Sequence, residues 1–134
     1  MSIASTIAVS GMNAAALRLQ VSASNVANTL TDGPLPGSDN AGNFPSAYAP
    51  QRVDQVATTG GGTSATVGAV SPSYVATYDP SAAYADGNGM VASPNVNFAS
   101  EFVQQTLAYY NFEANVRVVR TDAQMMAMLV NITA

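Results

Sequence analysis

Residues 97–134 read NFASEFVQQTLAYYNFEANVRVVRTDAQMMAMLVNITA. Within them Phe98, Phe102, Gln105, Tyr109, Phe112, Val116, Val119, Ala123, Met126 and Val130 recur at alternating steps of four and three. That is the seam period of a coiled coil, held for about four and a half heptads. A second stripe, Leu107, Ala114, Val118, Met125, Leu129 and Ile132, occupies another side, so the helix is expected to be covered on more than one face. Asn97 is a suitable N-cap, and Glu101 stands in the first turn, at the positive end of the helix dipole. Glu113 precedes Arg117 by one turn in the favourable order. No Gly or Pro interrupts the run; in a helix interior they cost about 1 and about 3 kcal/mol. Such a helix is about 55 Å long, and the molecule is expected to be elongated.

The other end of the chain reads the same way. Ile3, Ile7, Ser10, Ala14, Leu17, Val21 and Ser24 form one 3/4 stripe, and Val9, Met12, Ala16, Leu19, Ala23 and Val26 form another almost opposite. The helix is expected to stop near Asn28, where Thr31-Asp32-Gly33-Pro34 supplies turn chemistry. All seven prolines and nine of the ten glycines fall between Gly33 and Pro94. The chain therefore divides into a helical segment 1–30, a Gly/Pro-rich β and loop insert 31–96, and a helical segment 97–134. The fold class is mainly α, with the two long helices packed as a coiled coil and a hairpin in the middle. Segments 48–58 and 63–70 are the expected strands, joined through Gly60-Gly61-Gly62. Tyr74, Ala76 and Tyr78 alternate and are expected to extend that pairing. The triple glycine has no side chain to pack, so an insertion there is expected to be tolerated.

Only 9% of the 134 residues are charged, while 48% are hydrophobic. A solitary soluble domain carries roughly 25% charge, so much of this surface is expected to be covered by other subunits. A net charge of −4, with no lysine or histidine, leaves no basic footprint for nucleic acid. Absence of cysteine removes disulfides and thiolate metal sites. Catalysis has no histidine to use, and Asp32, Asp39, Asp54, Asp79 and Asp86 are scattered among turns. Asp86 and Asn88 lack the oxygen run and closing Glu of a calcium loop. No enzyme, cofactor, metal or small-molecule substrate is expected. Residues 3–17 imitate a signal peptide but lack a basic residue ahead of Arg18, so they read as mature structure. They are also too short and polar for a membrane span.

Leu17-Arg18-Leu19-Gln20-Val21-Ser22-Ala23-Ser24-Asn25-Val26-Ala27-Asn28 closely resembles the N-terminal signature of bacterial flagellar rod, hook and related axial proteins. Tyr78-Asp79-Pro80, Ala85-Asp86-Gly87-Asn88-Gly89-Met90-Val91, Pro94-Asn95-Val96-Asn97 and Glu113-Ala114-Asn115-Val116 narrow the resemblance to proximal rod proteins of the FlgC type. Phe112 stands where that pattern usually has tyrosine, and Ala123 where a lysine is common. The resemblance implies a structural subunit of the basal-body rod, transmitting torque and forming the export channel, with an axial D0-like helical core. It implies export without a cleaved signal to the periplasmic rod. Its partners would be copies of itself and other rod proteins, with the membrane ring and export apparatus below. The assembly seams would then be Ile3, Ile7, Leu17, Leu19, Val21, Asn25 and Asn28 at one end, and Phe102, Tyr109, Phe112, Val116, Val119, Met126 and Val130 at the other. The alternatives are another flagellar axial subunit or a secreted amphipathic-helix binding protein. The helices lack the Lys/Arg-rich face of the latter.

Overall fold

The computed structural model describes residues 2–132. Met1, Thr133 and Ala134, which complete the expected segments 1–30 and 97–134, lie outside the described residues. The elements are α1 (Ile3–Ala27), β1 (Gln51–Ala57), β2 (Thr63–Ala69), β3 (Tyr74–Tyr78), β4 (Met90–Pro94) and α2 (Phe98–Ile132). The chain is thus mostly helical, with two long helices and small antiparallel hairpins between them. Local chemistry sets the helix ends. The Ser2 hydroxyl accepts the Ser5 N–H at 3.2 Å and opens α1. Asn28 closes it, donating its backbone N–H to the Ser24 carbonyl at 3.1 Å and its side-chain amide at 2.9 Å. Asn97 opens α2 by accepting the Ser100 N–H at 3.0 Å.

The helices pair antiparallel, because Ser5 meets Asp122, Gly11 meets Asn115, and Ser22 and Asn25 meet Glu101. The side that α2 turns to α1 carries Glu101, Ala108, Asn115 and Asp122, one residue in every seven. Ala108 is 1% and Asp122 8% exposed, whereas Phe102, Tyr109 and Met126 of the apolar 3/4 seam are 60%, 63% and 47% exposed. Relative to that seam, α2 is turned by roughly 70° about its axis. α1 answers with small or polar residues: Ala8, Ala15, Ser22 and Asn25 are buried. Gly11 sits so close that a Cβ there would come within 2.7 Å of the Asn115 amide.

The middle folds back onto α1. β1 and β2 pair antiparallel from Gln51 opposite Ala69 to Ala57 opposite Thr63. Their hairpin covers one of the two sequence stripes of α1: Ser10, Ala14 and Leu17 lie beside Thr63, Ser64 and Ala65, and Val21 lies beside Val53 and Val70. The other stripe is only partly covered, with Ala16, Leu19 and Ala23 exposed. Burial of α1 on two sides is therefore achieved within the chain, by α2 and a hairpin of small residues. The Gly60-Gly61-Gly62 loop, where an insertion is expected to be tolerated, is open at Gly60 but not along its whole length. The loop docks on α1: Thr63 N–H donates to Ser10 Oγ at 3.1 Å. A Cβ on Gly61 or Gly62 would stand 2.8 Å from Ile7 or 2.6 Å from Ser10, and both glycines have φ near the left-handed region, +95° and +90°.

β3 does not extend the first sheet. It pairs with β4, from Tyr74 opposite Pro94 to Tyr78 opposite Met90. Val70 N–H closes the first ladder on the Pro50 carbonyl at 3.0 Å, and Pro72 has no N–H with which to continue it. Asn95 then draws the chain to β4 by donating to the Ser73 and Pro72 carbonyls at 3.0 and 2.9 Å. Gly33 and Ala92 exchange backbone hydrogen bonds of 3.0 and 2.9 Å, tying the exit of α1 to β4. A Cβ on Gly33 would lie 2.3 Å from the Ala47 nitrogen, a backbone atom with little room to move. Gly33→Ala is expected to destabilise the chain by about 1–3 kcal/mol through overpacking, read as a lower midpoint in thermal denaturation.

Candidate assembly surface

At one end of the helix pair, Asn25 joins four parts of the chain. Its Nδ2 donates to the Gln51 carbonyl at 2.7 Å and to Glu101 Oε1 at 2.8 Å. Its Oδ1 accepts the Gln51 N–H at 3.0 Å and the Tyr48 hydroxyl at 3.1 Å. The Tyr48 oxygen also pairs with Ser24 Oγ at 3.1 Å, and Ser22 Oγ donates to the Glu101 carbonyl at 3.1 Å. Asn25 is fully buried, and both of its donors and both acceptor lone pairs are used. A cleft of about 190 Å³ adjoins it, between α1, β1 and the first turn of α2. The cleft holds no nucleophile poised against a base. Its polar groups hold helix to helix and helix to strand.

At the opposite end, the Ser5 hydroxyl donates to Asp122. That bond, followed by one from Ser2, holds the Asp122 carboxyl below its usual 3.8. A carboxyl lowered in the folded state contributes stability that is present above pH about 4 and is lost as pH falls through the folded value. Thermal midpoints are therefore expected to drop on acidification below pH about 4, and Asp122→Asn is expected to remove this part of the dependence.

In the loop between β3 and β4, Asp86 Oδ1 accepts the Asn88 and Met90 N–H groups, each at 2.8 Å. Asp79 Oδ1 accepts the Ser81 hydroxyl at 2.6 Å and its N–H at 3.1 Å. Both carboxyls lie below their usual range: Asp79 chiefly through the Ser81 hydroxyl, Asp86 chiefly through the Met90 amide. They act as turn braces for Asp79-Pro80 and Asp86-Gly87-Asn88-Gly89.

The sequence-derived seam residues separate into two groups. Val21 and Asn25 are buried within the chain, Leu17 is half-buried near the hairpin, and Asn28 caps α1. Ile7 meets the hairpin tip at Gly61. Val116 and Val119 are half-buried. Ile3, Leu19, Phe102, Tyr109, Phe112, Met126 and Val130 are exposed. Val103, Leu107, Tyr110, Val118, Met125 and Met128 broaden the exposed surface around α2. Tyr109, Phe112, Val116, Glu113, Arg117 and Arg120 line an open groove of about 520 Å³ along it. Asp122, Ser5 and Tyr48 were not singled out from sequence. A carboxylate in the otherwise apolar run after Arg120 was the available signal for Asp122. No described helix is long and apolar enough to cross a membrane.

The two helical ends coincide with known families. A family model described as flagella basal body rod protein matches residues 6–34, most of α1 and its exit. One described as the flagellar basal body rod FlgEFG protein C-terminal matches residues 88–132, which hold β4 and α2. Among curated relatives, the flagellar basal-body rod protein FlgC of Agrobacterium fabrum is 30% identical over 132 residues, covering 98% of this chain and 94% of its own. FlgC of Salmonella typhimurium is 33% identical over 129 residues, covering 90% and 88%. Asn25 falls inside the first matched region, the second begins at Asn88 within the turn braced by Asp86, and likeness over nearly the full length joins the two ends. The chain belongs to the FlgC family of flagellar basal-body rod proteins, and is a structural subunit of the rod rather than an enzyme.

Proposed function

We propose that the helical segments 1–30 and 97–134 form the axial, D0-like core of the rod as a coiled coil shared among subunits, with the insert 31–96 directed outward. The core carries torque and encloses the export channel. The neighbours are copies of this chain and other rod proteins, with the membrane ring and export apparatus below. The subunit reaches the periplasmic rod by export without a cleaved signal. The observation that carries this reading is the exposure of Phe102, Tyr109, Phe112 and Met126 along one helix of the folded chain. Covering one such side chain contributes about 1.5–3 kcal/mol, so a seam of them over several turns is strong enough to hold a shaft. A head-to-tail contact that does not close on itself builds a helix. Ile3 and Leu19 extend the seam onto α1.

A photo-crosslinking residue at Phe102 or Met126, in cells that build flagella, tests the proposal. Adducts with the chain itself or with other rod proteins are expected from isolated basal bodies. The same probe at Val56, exposed on the hairpin, is expected to give fewer of them. Equal yields from both positions would overturn the inward and outward assignment.

A further inference from the structure

An apolar seam left to itself buries its largest side chains. Here α2 turns Phe102, Tyr109 and Met126 away from α1 and gives it Glu101, Ala108, Asn115 and Asp122 instead. Two of these make hydrogen bonds across the pair, one near each end. Glu101 accepts from the Asn25 amide through its side chain and from Ser22 through its carbonyl. Asp122 accepts from Ser5. Asn115 donates to Asn111 of its own helix and only fits against Gly11. In the rotated arrangement, with Phe102, Tyr109 and Val116 against α1, both carboxylates would lose these partners. Buried polar groups of this kind select among packings of similar apolar content.

We propose that Glu101 and Asp122 are positioning residues that fix the rotation of α2 on α1, and so keep its aromatic side available for neighbouring subunits. The Ser5, Ser22 and Asn25 groups of α1 are the matching half of this key. The rotation itself concerns the isolated chain; only its consequence for neighbours rests on the assembly proposed above.

The chain has no cysteine, so introduced thiols report without background. A Cβ at Gly11 lies 3.0 Å from Asn115 Cγ, and Gly11→Cys with Asn115→Cys therefore reports the observed rotation. Gly11→Cys with Val116→Cys reports the rotated one. In purified chain, the first pair is expected to cross-link in preference to the second. Adding Glu101→Leu and Asp122→Leu is expected to retain helical circular dichroism and to lower the ratio of the two yields by about fivefold or more. Glu101→Gln with Asp122→Asn keeps both acceptors and is expected to preserve the ratio. An unchanged ratio in the leucine variant, or an equal fall in the amide variant, would overturn the assignment. Loss of helicity in the leucine variant would also overturn it, since the carboxylates would then supply stability and not choice. A lost ratio with intact motility would refute the consequence for assembly and leave the rotation key standing.

Discussion

Tyr109→Asp and Met126→Asp are each expected to leave the isolated chain folded and to abolish swimming. Both side chains are exposed in the single chain, at 63% and 47%, so a carboxylate there stays hydrated. Surface substitutions of this kind change stability by about 0.5 kcal/mol or less. In a rod assembled as proposed above, the same carboxylate would be desolvated without a partner, which costs several kcal/mol per subunit, repeated at every copy. Thermal denaturation of purified protein and motility of complemented cells are the two measurements. A variant that melts like wild type yet builds no rod locates the defect between subunits. Wild-type swimming by both would show that this side of α2 faces solvent in the rod.

Asn25→Asp is expected to do the opposite: to damage the chain itself. The substitution is nearly isosteric, but it removes both donors of the amide and sets a carboxylate where Nδ2 stood, 2.8 Å from Glu101 Oε1. The Gln51 carbonyl loses its partner as well. Uncompensated buried polar groups and an unpaired charge together cost about 3–5 kcal/mol, a large share of the roughly 5–15 kcal/mol that holds a domain folded. The new carboxyl will have a raised folded-state value. Stability is therefore lost as pH rises through that raised value, and partly recovers as acid protonates the new carboxyl. A melting midpoint within a few degrees of wild type at pH 7 would mean that the junction around Asn25 is not a keystone of the fold.

Much of this was legible in the residues. The confinement of proline and glycine to one stretch, the capping residues Asn28 and Asn97, and the unbroken 3/4 spacing locate both helices. The glycine triplet locates the first hairpin. The second hairpin was hidden because Met90–Pro94 follows a run of turn residues and ends in proline, and its partnership with Tyr74–Tyr78 depends on Asn95 reaching back to Pro72. The Asn25 junction was legible only as a family signature. Its bonds run to Gln51, Tyr48 and Glu101, which sequence spacing does not bring together.

The sequence by itself determined where the chain is helical, where it turns, and that its long helices carry more apolar surface than two helices can bury in each other. Those properties follow from local backbone preferences and from period, which each residue expresses with its near neighbours. Tertiary structure alone decided which side of each helix meets which partner. Period marks several apolar faces without ranking them. The ranking came from the small size of Ala8, Gly11 and Ala15, and from hydrogen bonds such as Ser5 to Asp122, between groups over a hundred residues apart. It also came from a hairpin that takes one stripe of α1 for itself, while the aromatic side of α2 stays exposed in the single chain.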